Sequence, residues 1–166
     1  MVDQHRQSHG FHLAQLNIAR ALAPMDDPLL QEFVAALDDV NALAERSPGF
    51  VWRLKSDSGN ATDIRAYDDP LMIVNLTVWE GIDALFEFTY RSGHAKIMAR
   101  RRDWFEKMSQ PHMVLWWIPA GHLPDMAEAK ERLDHLQLHG PGPEAFTFKA
   151  RFPAPAAVTS DLVPAK

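Results

Sequence analysis

The chain has 166 residues, enough for one domain with a sizeable core, and its 46% apolar and 23% charged residues exclude a disordered or fibrous protein. Seventeen Lys and Arg against 22 Asp and Glu leave a formal charge of −5, which argues against a general binder of nucleic-acid phosphates. Cys is absent, so disulfides, thiolate nucleophiles and sulfur-ligated metals are excluded.

Phe11 to Ala19 alternates as a strand, with His12, Ala14, Leu16 and Ile18 on the more apolar face and Phe11, Leu13, Gln15 and Asn17 on the other. Asp26-Asp27-Pro28 opens a helix whose Leu30, Phe33, Val34, Leu37, Val40 and Ala44 recur at helical spacing, and Ser47-Pro48-Gly49 stops it. Phe50 to Lys55 reads as a second strand. Ser56 to Pro70 is a polar connection whose length marks a candidate lid. Met72 to Trp79 is the clearest strand, with Met72, Val74, Leu76 and Val78 on a wholly apolar face and Ile73, Asn75, Thr77 and Trp79 on a mixed one. Two helices follow, Ile82 to Tyr90 and His94 to Met108, separated by Arg91-Ser92-Gly93. Met113 to Ile118 is a fourth strand, Asp125 opens a helix striped by Met126, Ala129, Leu133 and Leu136, and Glu144 to Phe152 reads as a fifth strand.

This order gives an α+β fold of the split βαβ, ferredoxin-like kind, in which helices cover one face of an antiparallel sheet and the other face calls for a partner. One domain spans residues 1–166, with its core at about 11–152 and loose tails at 1–10 and 153–166. The longest apolar stretch, Met113 to Pro119, falls far short of the ~20 residues of a membrane-spanning helix. The polar first ten residues carry no secretion signal, so the cytoplasm is the expected location and no membrane partner is expected.

Ser47-Pro48-Gly49-Phe50, Leu76-Thr77-Val78-Trp79-Glu80 and Tyr90-Arg91-Ser92-Gly93-His94 resemble the antibiotic biosynthesis monooxygenase group of dimeric α/β-barrel proteins. Arg100 to Phe105, Leu115 to His122 and Gly140 to Phe146 look like an uncharacterised bacterial branch of that superfamily. The resemblance implies a homodimer built sheet to sheet, with a small-molecule pocket between helices and sheet in each subunit. Members of the superfamily oxygenate aromatic molecules without a cofactor, degrade haem, dehydrate aldoximes or cyclise polyketides. In the haem-degrading members, an Asn on the first strand, a Trp near the end of the third and a His on the next helical segment surround the ligand; Asn17, Trp79 and His94 occupy comparable places. Gly93 and the Arg triplet at 100–102 depart from that pattern.

Read for chemistry, the helix from His94 carries His94 and Arg101 on one face, two turns or roughly 10 Å apart. An imidazole there could take a proton or ligate haem, and a guanidinium could hold an anionic oxygen. The plainer account has His94 capping the helix and Arg101 reaching a surface carboxylate. Asn17, Asn75 and Thr77 either face a ligand or lie on a dimer surface, and Trp79, Trp104 and Trp117 offer flat walls to an aromatic substrate unless they are core. His112 stands where it could reach a pocket mouth. Arg102 and Glu106 have the spacing of a surface ion pair, and His135 and His139 that of a metal pair without an evident third ligand. The expected protein is therefore an enzyme acting on an aromatic or conjugated small molecule, cofactor-independent or else haem-binding through His94; a non-catalytic ligand-binding homodimer is the competing class.

Overall fold

The computed structural model describes residues 10–155, so the expected loose tails lie almost wholly outside the described residues. Strands β1 (Phe11–Arg20), β2 (Phe50–Arg53), β3 (Met72–Trp79) and β4 (Met113–Pro119) form one sheet in the order β2-β3-β1-β4. Every neighbouring pair is antiparallel. Helix α1 (Gln31–Glu45) joins β1 to β2, and α2 (Ile82–Arg91), α3 (His94–Ala99) and α4 (Arg101–Trp104) join β3 to β4. This is the expected ferredoxin-like topology, followed by α5 (Met126–His139).

Local chemistry sets the boundaries. The Asp27 carboxylate accepts from Leu29 N–H at 2.9 Å and Pro28 begins the 3-10 turn that leads into α1. At Gly49 (φ +83°) a Cβ would lie 2.4 Å from Ala84 Cβ, so no other residue lets the turn before β2 pack on α2. Asp125 caps α5 by accepting from Glu128 N–H at 2.8 Å, and Gly140 ends it with φ +74°.

Three expectations are corrected. The helix expected from His94 to Met108 breaks at Arg100 (φ −99°, ψ 7°). Burial of Trp104 and Phe105 against Phe33, at ring separations of 5.5 and 4.9 Å, draws the chain back to the end of β1, where Phe105 bridges Ala21. The early end of α4 removes the expected Arg102–Glu106 pair; Glu106 accepts from Arg20 instead, at 2.8 Å. The expected fifth strand contributes a single bridge to the sheet, Phe146 to Leu115, and a local one, Ala145 to Gly142, because the chain there crosses the free edge of β4, putting Ala145 into the core on one side of the sheet and Phe146 into that on the other.

The sheet has a filled side and a hollow side. Ala14, Leu16, Ile18, Val74, Leu76, Val78, Val114, Trp116 and Ile118 form the apolar face, with His12 at its margin opposite Ile118, and Ala129, Leu133 and Leu136 of α5 close it. The sequence left open which face of the sheet would meet a second copy; this face is occupied by the chain's own helix. Among the described residues no helix is long and apolar enough to cross a membrane.

Candidate functional site: a cavity between the mixed face of the sheet and the helices

Strand register stacks the mixed face in tiers. The first, Phe50–Trp79–Leu13–Trp117, is apolar, and α2 seals it: Trp79 stacks on Phe88 at 5.1 Å and meets Phe50 edge-on at 5.4 Å. The second, Arg53–Thr77–Gln15–Leu115, carries a buried hydrogen-bond chain. Trp79 Nε1 donates to Thr77 Oγ1 at 2.9 Å, and Thr77 Oγ1 donates to Gln15 Oε1 at 2.8 Å. Because its hydroxyl proton goes to Gln15, Thr77 meets the indole as an acceptor, which fixes the Gln15 rotamer as well. The third tier is Asn75–Asn17–Met113. Beyond it, Ile73 and Ala19 run into an apolar cluster around Leu30, Phe33, Trp104 and Phe105.

Between the two filled ends the helices stand off the sheet and enclose a cavity of about 180 Å³. Its apolar wall comes from Ala36, Leu37 and Val40 of α1, Phe88 of α2, and Ile97 and Met98 of α3. The apolar stripe of α1 predicted from its spacing therefore faces a hollow rather than a packed core, which is why Phe33, Leu37 and Val40 are only half-buried.

Five of the residues singled out from the sequence meet in this cavity: Asn17, Asn75, Thr77, His94 and Arg101. Asn17 Oδ1 is buried and finds no protein donor, an uncompensated acceptor that normally costs about 1–3 kcal/mol. Asn75, its register partner, is exposed at the mouth because β2 ends at Arg53 and leaves this half of β3 without a neighbour. His94 packs on the Phe88 ring at 4.8 Å, and its Nδ1 lies 3.3 Å from the Thr89 carbonyl oxygen. A carbonyl only accepts, so this contact makes Nδ1 the protonated nitrogen and leaves Nε2 as the basic one. Burial holds the His94 pKa below the ordinary imidazole value, opposed by that hydrogen bond. Arg101 lines the cavity, and none of the ion pairs among the described residues includes it.

The other four do not line the cavity. Trp79 and Trp104, 0% and 2% exposed, are committed to the apolar clusters at its two ends. Trp117 donates from Nε1 to the Phe152 carbonyl at 2.9 Å. His112 is half-buried beside Met113; burial, and then the charge of Arg101, lower its pKa against an opposing backbone hydrogen bond to Gln110.

Several wall residues were not singled out. Asn41 of α1 donates to Asn60 Oδ1 at 2.7 Å, and Arg53 donates to the Gly59 carbonyl at 2.7 Å, pinning the 56–70 connection so that Asn60, Ala61 and Thr62 edge the cavity. The unequal lengths of β2 and β3 were the available signal, since the connection has to cross the open half of β3. His135 and His139, 4.7 Å apart on α5, lie away from the cavity. Among the described residues no group of three or more His, Asp or Glu side chains gathers as metal ligands do.

Haem is too large to be enclosed by this cavity and would have to project from its open mouth. A cavity of about 180 Å³ is close to the ~150 Å³ hollow that holds one benzene, whereas haem carries four pyrrole rings.

Burial of two neutral imidazoles has a pH signature. Both folded pKa values lie below the unfolded value of about 6.5, so below that pH the unfolded chain binds more protons than the folded one. Stability is expected to be fully present above about pH 6.5 and to fall as pH drops towards the folded values. Thermal melts should show this slope, and it should flatten in the double variant His94→Gln, His112→Gln; an unchanged slope would place the responsible groups elsewhere.

Comparison with known proteins places the chain in a family rather than beside a characterised enzyme. No curated protein matches it. Its backbone is similar to that of SnoaB, a cofactor-independent oxygenase from Streptomyces nogalater, with 19% identity over 69% of this chain and 98% of that one and a TM-score of 0.42. It is also similar to NE2512, a protein of unknown function from Nitrosomonas europaea (18% identity, 70% and 98% covered, TM-score 0.42). A third similar structure is PA3566 from Pseudomonas aeruginosa (12% identity, 68% and 95% covered, TM-score 0.42). The family described as a domain of unknown function, DUF3291, matches residues 12–162, and the chain belongs to it.

Proposed function

We propose that the protein is a small-molecule enzyme of the antibiotic biosynthesis monooxygenase kind, acting on a compact aromatic or conjugated substrate without a prosthetic group. The observation that carries this reading is the meeting of a buried imidazole, a guanidinium without an ion-pair partner among the described residues and the Asn75 side chain in one hollow of about 180 Å³. In the proposed step, His94 Nε2 takes a proton from a hydroxyl or an acidic C–H of the bound ring, and the resulting anion is the species that meets dioxygen. Arg101 and Asn75 face the oxygen on which negative charge grows. Phe88 and the α1 wall keep water from the anion. All of these groups come from one chain, so the reading needs no second copy; a homodimer would use a surface other than the one beneath α5.

The test is dioxygen uptake by purified protein against a panel of single-ring quinols and hydroxyarenes, with products followed by mass spectrometry. Saturable turnover is expected, and Ala36→Phe, which fills the cavity from α1, should abolish it while the circular dichroism spectrum stays unchanged. Turnover that survives a filled cavity would place the chemistry elsewhere, and no turnover across the panel would refute the oxygenase reading.

A further inference from the structure

Resting on His94 as the proton acceptor of the proposed reaction, we infer that Ser92 is its positioning residue: one hydroxyl, lying outside the cavity, sets the tautomer that leaves His94 Nε2 free to take the proton. Ser92 does not line the cavity, so it acts on a ligand through His94 alone.

Helices α2 and α3 are separated by a break at Ser92, which is extended (φ −105°, ψ −176°). The break leaves the carbonyls in the last turn of α2, and the first amides of α3, without helical partners. Two consecutive carbonyls at that end of α2 are taken up by side chains. The Phe88 carbonyl accepts from Ser92 Oγ, and the Thr89 carbonyl faces His94 Nδ1 at 3.3 Å. Ser92 Oγ in turn accepts from the His94 backbone N–H at 3.1 Å. A hydroxyl has one proton and two lone pairs, so it can donate to Phe88 and accept from His94 at once.

These contacts close a loop around the imidazole. Phe88 gives its carbonyl to Ser92 and its ring to His94, 4.8 Å away. Thr89, next in the chain, gives its carbonyl to Nδ1, and Ser92 ties the His94 backbone to the same turn. The imidazole is thus held against α2 by its main chain, its face and one ring nitrogen. The Nδ1 contact is the longest of the hydrogen bonds, just outside the usual range of about 2.7–3.2 Å, so a small shift of the His94 backbone is enough to lose it. Ser92 prevents that shift, and Gly93, which opens α3, has no side chain that could do so instead. With the proton fixed on Nδ1, the lone pair stays on Nε2; in the other tautomer Nε2 carries the proton and cannot accept one.

Long-range 1H–15N correlation spectra of protein labelled with 15N-histidine, taken at about pH 8 where imidazoles are neutral, report the tautomer directly. His94→Gln identifies the His94 signal among the eight His residues. The parent is expected to carry the His94 proton on Nδ1 alone. Ser92→Ala should give both tautomers, and Ser92→Thr, which keeps the hydroxyl, should restore the parent pattern. On a substrate from the panel, Ser92→Ala should lower kcat about tenfold or more with KM nearly unchanged, because a displaced base costs rate before it costs binding. Should Ser92→Ala fail to fold by circular dichroism, Ser92→Cys, with its weaker donor, carries the same comparison. The inference is overturned if parent His94 is protonated on Nε2, if the variant lacking the hydroxyl keeps a pure Nδ1–H tautomer, or if Ser92→Thr does not restore it. The spectra need no substrate, so a tautomer that responds as expected while the panel is not turned over sinks the oxygenase reading and leaves the role of Ser92 standing. Turnover with the tautomer unchanged in Ser92→Ala does the opposite.

Discussion

Truncating Leu133 to Ala is expected to lower the free energy of unfolding by about 2–5 kcal/mol, while Leu138→Ala on the same helix should stay within about 0.5 kcal/mol. Leu133 is 2% exposed against the apolar face of the sheet, and Leu138 is 79% exposed. The contrast is large because α5 is otherwise a polar helix: its buried side chains are Ala129, Leu133 and Leu136, and these three hold it over nine fully apolar sheet positions. Ala in the middle of that row leaves a void that the rigid sheet cannot collapse into. Urea titration followed by tryptophan fluorescence reads the effect directly, since Trp116 lies in this face and its indole donates to Glu128 of α5 at 3.0 Å. A Leu133→Ala midpoint equal to the parent's would mean that α5 does not seal the sheet.

Replacing His94 with Gln is expected to cost about 10²–10⁴-fold in kcat on whichever substrate the panel identifies, with KM nearly unchanged. Gln preserves a donor for the Thr89 carbonyl and much of the contact with Phe88, but it offers no basic nitrogen. Loss confined to kcat therefore reports proton transfer rather than lost packing. The burial that lowers the His94 pKa also sets the pH dependence: kcat/KM should rise with pH and level off below the ordinary imidazole value of about 6.5. A variant as fast as the parent would remove His94 from the mechanism, and a limb that levels off well above that value would assign the titration to another group.

Strand alternation in β1 and β3 was enough to separate the apolar face from the mixed one, because side chains two residues apart must share a face. That separation did not locate the cavity: polar groups on the mixed side suit a ligand wall and a dimer surface equally, and the helices packed over that side decide between them. What alternation could not say is what covers the apolar side. The stripe on α5 and the face it closes were both visible, but pairing two apolar surfaces across a connection depends on where the chain goes in space, and the resemblance offered a second copy without saying which face it meets. His94 and Arg101 were placed on one face by assuming a continuous helix. They share the cavity even though the helix breaks between them, because the break at Arg100 turns the chain along the same wall. The tryptophans went the other way. Indole size suits a ligand wall and a core equally, and only register shows that Trp79 lies one tier too deep, beneath the hydrogen-bonded Thr77.

The position of α5 after β4 in the chain also shapes the protein's birth. Nine greasy sheet positions are complete once β4 has left the ribosome, yet the helix that shields them follows it. A nascent polypeptide halted when β4 has emerged from the exit tunnel and α5 has not would hold a finished ferredoxin-like unit with one oily side bare, a species prone to stick to its siblings or to recruit a chaperone. Emergence of fourteen further residues ends that hazard, so a pause at that stage of emergence should matter more to yield than a pause at any earlier one.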